Sequence, residues 1–300
     1  MGFAASNTYT LGMYKGAQAA AAALGDVKLT FLDGNFSGPT QIVQLQDATT
    51  SKKFAGVIVG ANDGVSIIPS VEQAIAAGIK IVQVETPIGK NSADVDSQIP
   101  GLTSAIGMQV IGAIPSIVAK VDQACANKNP CNVALMPGNR SLPFDALSVS
   151  TAVTAAKKYP NMKLVVTPDA GFDRQDGYTV MQDVLQSDPN VNVVFTVSAE
   201  AMLIGAQQAV QQAGKDGQVT MVGFGATTQG VQLIKSGQWY ASYVFPPYAQ
   251  GYLAVETMVK ALEGKKVTLN QPLNCKLPVG CFVTKQSLAK DPSFTGQYSA

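Results

Sequence analysis

The sequence predicts an α/β protein made of two Rossmann-like, doubly wound lobes. Short runs rich in β-branched and aliphatic residues alternate with longer helical patterns almost throughout. The alternation repeats about every 30 residues, the length of one strand–helix–strand unit, which indicates parallel sheets covered by helices on both faces. Two such series follow one another, and 300 residues exceed a typical domain of about 100–150.

In the first series, strands are expected at 2–5, 27–32, 55–59 and 80–84. The Ala-rich stretch 11–24 favours helix. The helix over 39–50 opens with Pro39, at a position where proline is tolerated. Ile67, Ile68, Val71, Ala74 and Ile75 share one helical face, and Gly78 ends that helix. The second series has strands at 132–136, 163–167, 192–196, 219–223 and 240–244. Its helices lie at 145–159, 177–186, 201–213 and 229–236. A further helical pattern covers 108–124, and Pro115 within it predicts a kink or a late start.

Two series imply crossings between lobes. The first is expected within 102–107 and the second at Phe245-Pro246-Pro247, whose prolines fix an extended path before a helix over 248–262. A third is expected near 267–270. The expected division is 1–105 for the first lobe, 106–245 for the second, 246–267 returning to the first, and 268–300 as third crossing and second-lobe tail.

Composition excludes several functions. The 21 basic and 20 acidic side chains nearly cancel, leaving no footprint for nucleic acid or anionic lipid. No apolar run reaches the roughly 18 residues needed to span a bilayer. There is no histidine, which removes the commonest general base and neutral metal ligand and any Ser-His-Asp triad. No metal or cofactor is expected.

The four cysteines form two local pairs of equal spacing, Cys125/Cys131 and Cys275/Cys281. Each intervening segment carries Pro with Asn or Gly, suited to a turn that brings two Cα atoms within bridging distance. Two disulfides and an oxidising compartment are the reading; free thiols and a zinc site, for which Cx5C is an unusual spacing, are the alternatives. No basic and apolar leader precedes Gly2. An exported protein is therefore expected to be represented here in mature form, from an added Met.

Catalytic and nucleotide motifs fail one by one. The run Gly223-Phe224-Gly225-Ala226-Thr227-Thr228-Gln229-Gly230 follows a strand but lacks the GxGxxG spacing, and no acid lies between Asp216 and Glu256 to hold a ribose. Neither a P-loop nor a G-x-S-x-G elbow occurs. Asp169, Asp173 and Asp176 are close in sequence, where helix capping is the plain reading and a glycosidase pair the sharper one.

A set of segments then carries a resemblance. They are Ser6-Asn7-Thr8-Tyr9 with Lys15-Gly16-Ala17-Gln18, Gly56-Val57-Ile58-Val59 with Asn62-Asp63, and 77–82. The later ones are 171–177, 180–185 and Val222-Gly223-Phe224. In this order, over nearly the whole chain, the sequence resembles the type-I periplasmic sugar-binding proteins of ABC transporters, the ribose-binding group in particular. The resemblance implies the periplasmic binding protein type I fold: two Rossmann-like lobes, a three-crossing hinge and closure around a solute in the cleft. It implies a periplasmic or extracellular location, with or without a lipid anchor. It also implies a monomer that partners a small-molecule solute and transporter membrane subunits, with no nucleic acid.

Carried across position by position, the resemblance implies a ligand pocket. Asn7 takes the place of an Asn bonded to a sugar hydroxyl; Tyr9 is at a ring-stacking position, and Thr10 replaces a second aromatic. Glu85 and Thr86 fall where ribose binders have an acid followed by Arg. Asp145 takes an Arg position, with Arg140 expected to reach the same cleft or pair with Asp145. Phe172 matches an aromatic directly. Ser198, Ala199 and Glu200 straddle a usual Asn-Asp pair. Gly225 replaces a usual Asp, and Phe245 a usual Gln. Glu85 and Asp145 are expected as hydroxyl acceptors, and Tyr9, Phe172 and Phe245 as an aromatic clamp.

These exchanges remove hydrogen-bonding groups worth roughly 0.5–1.5 kcal/mol each, while micromolar binding needs about 8 kcal/mol in all. A sugar or sugar alcohol remains the expected ligand, with deoxy sugars and small aromatic compounds also fitting fewer hydroxyl contacts. The alternative is the effector-binding part of a lac-repressor-type regulator, which shares the fold but needs a helix-turn-helix and an intracellular setting. An enzyme lacks any motif.

Overall fold

The computed structural model describes residues 1–300 and separates them into two compact units. Unit 1 is Met1–Gln109 with Pro246–Asn274, and unit 2 is Val110–Phe245 with Cys275–Ala300. The chain therefore passes three times from one unit to the other.

Unit 1 opens with α1 (Thr8–Leu24), α2 (Gly38–Ser51), β1 (Gly56–Val59), α3 (Ile68–Ala76), β2 (Lys80–Val84) and β3 (Ser104–Gly107). Asn7 and Ser37 start the first two helices, each side chain accepting from a backbone N–H three residues on. After the first crossing come α4 (Val110–Ala124), β4 (Cys131–Leu135), α5 (Pro143–Ala156), β5 (Met162–Val166) and α6 (Arg174–Ser187). They are followed by β6 (Val193–Phe195), α7 (Glu200–Gln212), β7 (Thr220–Gly225), α8 (Thr228–Ser236) and β8 (Trp239–Val244). The chain returns to unit 1 for α9 (Pro247–Leu262) and β9 (Asn270–Pro272), then ends in unit 2 with β10 (Phe282–Val283) and α10 (Lys285–Lys290).

Both sheets are parallel, as the repeating strand–helix pattern predicts. Unit 1 has the order β1-β2-β3-β9. Unit 2 has the order β10-β8-β7-β6-β4-β5, with only β10 antiparallel. In unit 2, β4 lies beside both β5 and β6. The strand order reverses there, which leaves a crevice at the carboxyl ends of β4 and β6.

Each unit packs two helices backbone to backbone through a glycine pair. In unit 1, a Cβ on Gly16 would fall 2.0 Å from Tyr248 O, and one on Gly251 would fall 1.8 Å from Met13 O. In unit 2, Gly177 and Gly205 do the same for α6 and α7, at 2.2 Å from Met202 O and 1.8 Å from Arg174 O.

Both expected disulfides are formed, with Cα separations of 5.6 Å for Cys125–Cys131 and 4.3 Å for Cys275–Cys281. The first ties the end of α4 to the start of β4. Closing so short a loop restricts the unfolded chain by about 2 kcal/mol. The variant C125S/C131S is expected to lose that much stability, read as a lower denaturation midpoint; an unchanged midpoint would remove the role.

Several expectations need correction. Residues 104–107 are not a crossing but the buried strand β3, held between β2 and β9. The third crossing comes after Asn274, because β9 completes the unit 1 sheet first. Helix α4 starts at Val110 and runs through Pro115. Burial of Ile111, Ile114, Ile117, Val118 and Val121 offsets the roughly 3 kcal/mol that an interior proline costs. Helix α6 starts at Arg174, ahead of Gly177, because Asp173 caps it by accepting from Gln175 N at 2.7 Å. The runs 2–5 and 27–32 form no strands; a single parallel bridge joins Gly2 to Asp33.

Candidate functional site

In unit 1 the candidate residues gather at the carboxyl ends of the strands. Glu85 follows β2 directly and adopts a left-handed backbone, φ 61°, which a side-chain-bearing residue rarely takes. Its carboxyl group is buried, 4 % exposed. Gln250, in the first turn of α9, fixes one side of it. Gln250 Nε2 donates to Ile106 O at 2.9 Å and to Glu85 Oε2 at 3.0 Å. The Tyr9 hydroxyl lies 2.6 Å from Gln250 Oε1 and 3.0 Å from Glu85 Oε2.

That geometry has a consequence for protons. Tyr9 has one hydroxyl hydrogen and two acceptors around it, so both contacts are satisfied when Glu85 itself carries a proton. The electrostatics agree: burial raises the Glu85 carboxyl to about 7, against the lowering effect of the Gln250 and Tyr9 hydrogen bonds. Glu85 Oε1 is buried and has no hydrogen-bond partner. Asn62, which the sequence reading did not place in the site, repeats the feature at the end of β1: its Nδ2 donates to Phe3 O at 3.1 Å while its Oδ1 is buried without a partner. A buried polar residue just past a strand was the signal available for Asn62.

The other unit 1 candidates divide. Asn7 is half-buried and its Oδ1 is committed to α1, accepting from Thr10 N at 2.9 Å and the Thr10 hydroxyl at 3.1 Å. Thr10 is 1 % exposed and turned into the unit, which corrects its expected place in the pocket; helix capping takes its hydroxyl. Thr86 is buried beside Glu85.

In unit 2 the crevice between β4 and β6 is built around Asp145, in the first turn of α5. Asp145 Oδ1 accepts from the Ser198 hydroxyl, and Oδ2 accepts from Asn139 N at 2.9 Å. Ser198 also accepts from Gly138 N at 3.1 Å, and Asp169 accepts from Arg140 N at 2.9 Å. Three successive N–H groups of the loop after β4 are thus held by side-chain oxygens. Burial raises the Asp145 carboxyl, opposed chiefly by the Ser198 hydrogen bond. The Phe172 ring lies against Gly138, where a Cβ would fall 2.0 Å from Phe172 Cε1; Phe172 has φ 63°.

The expectations for four unit 2 residues, Arg140, Glu200, Gly225 and Phe245, are corrected. Arg140 pairs with Asp169, Nε to Oδ1 at 2.5 Å, and not with Asp145, whose oxygens Ser198 and Asn139 already occupy. Glu200 is 1 % exposed and serves the interior. It accepts from Thr227 N at 2.6 Å, from Ala226 N at 3.2 Å and from the Ser242 hydroxyl, so its oxygens are spent on the entry to α8. Gly225 adopts φ 156°, and a side chain there would meet Tyr298. Phe245 is 8 % exposed, its ring centroid 4.7 Å from that of Phe224. Asp169 and Asp173 serve Arg140 and the cap of α6, which absorbs the carboxylates considered as a glycosidase pair.

Residues 1–266 match the family model described as periplasmic binding protein domain. The chain belongs to the periplasmic binding protein family. This binding protein is 26 % identical over 289 residues to the D-allose-binding periplasmic protein of Escherichia coli K12, covering 93 % of the chain and 89 % of that protein. It is 28 % identical over 274 residues to the ribose import binding protein RbsB of Salmonella typhimurium LT2, covering 91 % and 87 %. Its fold matches an ABC transporter solute-binding protein of Actinobacillus succinogenes solved with D-allose, at TM-score 0.80, 23 % identity and coverage of 95 % and 96 %. A Bacillus halodurans solute-binding protein solved with myo-inositol matches at TM-score 0.79, 21 % identity and coverage of 96 % and 94 %. The family comprises extracytoplasmic solute-binding proteins of ABC importers, not enzymes, and these relatives favour that reading over a repressor-type effector domain. No helix of the binding protein is long and apolar enough to cross a membrane.

Proposed function

We propose that this binding protein delivers a sugar or sugar alcohol to the membrane subunits of an ABC importer, acting as a monomer. The observation that carries the solute class is Glu85 Oε1, a buried acceptor without a protein partner at the end of β2. A solute hydroxyl is the group that matches it: small, neutral and able to donate. Leaving such an oxygen unpaired costs about 1–3 kcal/mol, so a hydroxyl that pairs with it is strongly selected over a methyl or hydrogen. Asn62 Oδ1 offers a second acceptor of the same kind. In unit 2, Asp145, Ser198 and the loop 138–140 hold one another at the crevice, and the contribution proposed there is the Phe172 ring, a face for the C–H side of a pyranose or cyclitol. Relatives named for D-allose and ribose and a fold neighbour solved with myo-inositol support polyhydroxylated rings as the class.

A thermal-shift panel of D-allose, D-ribose, D-fucose, myo-inositol, glycerol and a small phenol tests this. A matching polyol at 100 times its Kd is expected to add about 2.7 kcal/mol of stability. A response to the phenol alone would overturn the reading. Phe172→Ala is expected to weaken the responding polyol about tenfold by calorimetry, with the melting temperature of the solute-free protein little changed; equal affinity would remove Phe172 from the site.

A further inference from the structure

Residues 291–300 follow α10 as a strap laid over unit 2. The strap forms neither helix nor strand, yet it is anchored along its length. Lys235 Nζ donates to Phe294 O at 3.1 Å, and the Phe294 side chain packs against the core of the unit. Thr228 N donates to Tyr298 O at 2.9 Å, Ala300 N donates to Gln229 Oε1 at 3.0 Å, and Arg174 Nη2 donates to Ala300 O at 2.9 Å. Thr228 and Gln229 open α8, and Arg174 opens α6, so the strap is tied to the loops beyond the carboxyl ends of β7 and β5. Gly296 lets it lie backbone on backbone. It has φ 89°, and a Cβ there would fall 2.7 Å from both Ala226 O and Thr228 N.

The Tyr298 side chain takes the place that Gly225 leaves open. A Cβ on Gly225 would fall 2.5 Å from the Tyr298 hydroxyl oxygen and 3.1 Å from Glu200 Cβ. Gly225 ends β7, the strand beside β6. Glu200 begins α7 on the loop that carries Ser198, and Ser198 donates to Asp145 in the crevice. The end of β7 therefore borders the strand-end surface that holds Asp145 and Ser198, where an open α/β sheet takes its ligands. Any residue but glycine would be strained at φ 156° and would collide with the phenol. The strand gives up its own side chain at that point, and the strap supplies one from elsewhere in the chain. A phenol hydroxyl donates one hydrogen and also accepts, so a protein group and a solute hydroxyl can share it.

We infer that Tyr298 is a specificity-determining residue of the solute site, its hydroxyl bonding a hydroxyl of the solute at the carboxyl end of β7. The inference rests on the polyol reading of that site and adds to it a residue that only the docked strap can deliver.

The test is Tyr298→Phe, which removes the hydroxyl and keeps the ring and the backbone bond from Thr228. Calorimetry against the polyol that binds the wild-type chain is expected to show affinity about fivefold weaker, the loss of one neutral hydrogen bond. The melting temperature and the slow hydrogen exchange of the Thr228 amide are expected to stay as in wild type, because the strap remains docked. Phe294→Ala, which loosens the strap, is the comparison: it is expected to speed exchange at Thr228 and to weaken the same polyol. Affinity of Tyr298→Phe equal to or tighter than wild type would overturn the inference and leave the polyol reading standing. Weaker affinity accompanied by fast Thr228 exchange would also overturn it, since the hydroxyl would then serve only to hold the strap. Failure of every polyol to bind the wild-type chain would overturn both.

Discussion

Stability is expected to fall by about 3 kcal/mol as pH rises from 4.5 to 7 through Glu85 alone, and Glu85→Gln is expected to abolish that share. The carboxyl sits at about 7 in the folded chain against an ordinary 4.5. Below pH 4.5 it is protonated in both states, and the favourable contribution is fully present. Between 4.5 and 7 the unfolded chain releases the proton while the folded chain keeps it, so stability drains away with each unit. The difference of 2.5 units, at 1.36 kcal/mol per unit, gives about 3 kcal/mol. Glutamine stays neutral at every pH and keeps an oxygen and a donor for Tyr9 and Gln250. Burial also raises Asp145 and Glu200, which tilt the profile in the same direction in both proteins. The quantity to read is therefore the difference between the wild-type and variant profiles from denaturation at pH 4.5 to 7.5. Parallel profiles would show that Glu85 is ionised in the folded chain and that the proton accounting with Tyr9 is wrong.

Gly205→Ala is expected to cost about 3 kcal/mol or more. Its Cβ would fall 1.8 Å from Arg174 O and 2.8 Å from Tyr178 N, both backbone atoms of α6. A flexible side chain could move aside; a helix backbone cannot without separating α6 from α7. Overpacking of this kind costs about 1–3 kcal/mol and more where the obstacle is rigid. Gly112→Ala in α4 is the control, since no atom lies within 4 Å of the added Cβ. It is expected to gain up to about 1 kcal/mol from helix propensity. Denaturant midpoints measure both; a Gly205→Ala midpoint equal to wild type would mean that the two helices do not pack at this distance.

The residues that the sequence made legible are those whose role is local. Asp173 caps α6, the plain reading of the carboxylates near Phe172, because a short polar side chain just before a helix can reach its free N–H groups. The cysteine pairs lie six residues apart around turns, so their bridges are local too. Strands β4, β6, β7 and β8 stood out because each is a largely buried apolar run between helices. Strand β3 was passed over because Ser104-Ala105-Ile106-Gly107 is short and only partly apolar, and its place depends on β2 and β9, the latter more than 160 residues away. The runs 2–5 and 27–32 have strand composition, but a strand exists only with a partner, and none lies along 27–32.

The candidate site divides in the same way. Glu85, Asp145, Ser198 and Phe172 were named because the resemblance carries the family's pocket positions onto them. What each side chain does there did not follow from position. Thr10 and Glu200 sit at site-like positions and face inward, because capping α1 and holding the entry to α8 satisfy their oxygens. Arg140 chose Asp169 over Asp145 because Asp145 was already filled by Ser198 and Asn139.

The alternation of strands and helices in two parallel, doubly wound units and the disulfide pairs were determined by sequence alone, since each rests on residues close along the chain. Tertiary structure decided which buried polar atoms are satisfied. Gln250 reaches Glu85 across 165 positions and takes one of its oxygens, while the other stays buried without a partner. A hydrogen bond depends on where two atoms meet in space, and no local pattern records that meeting.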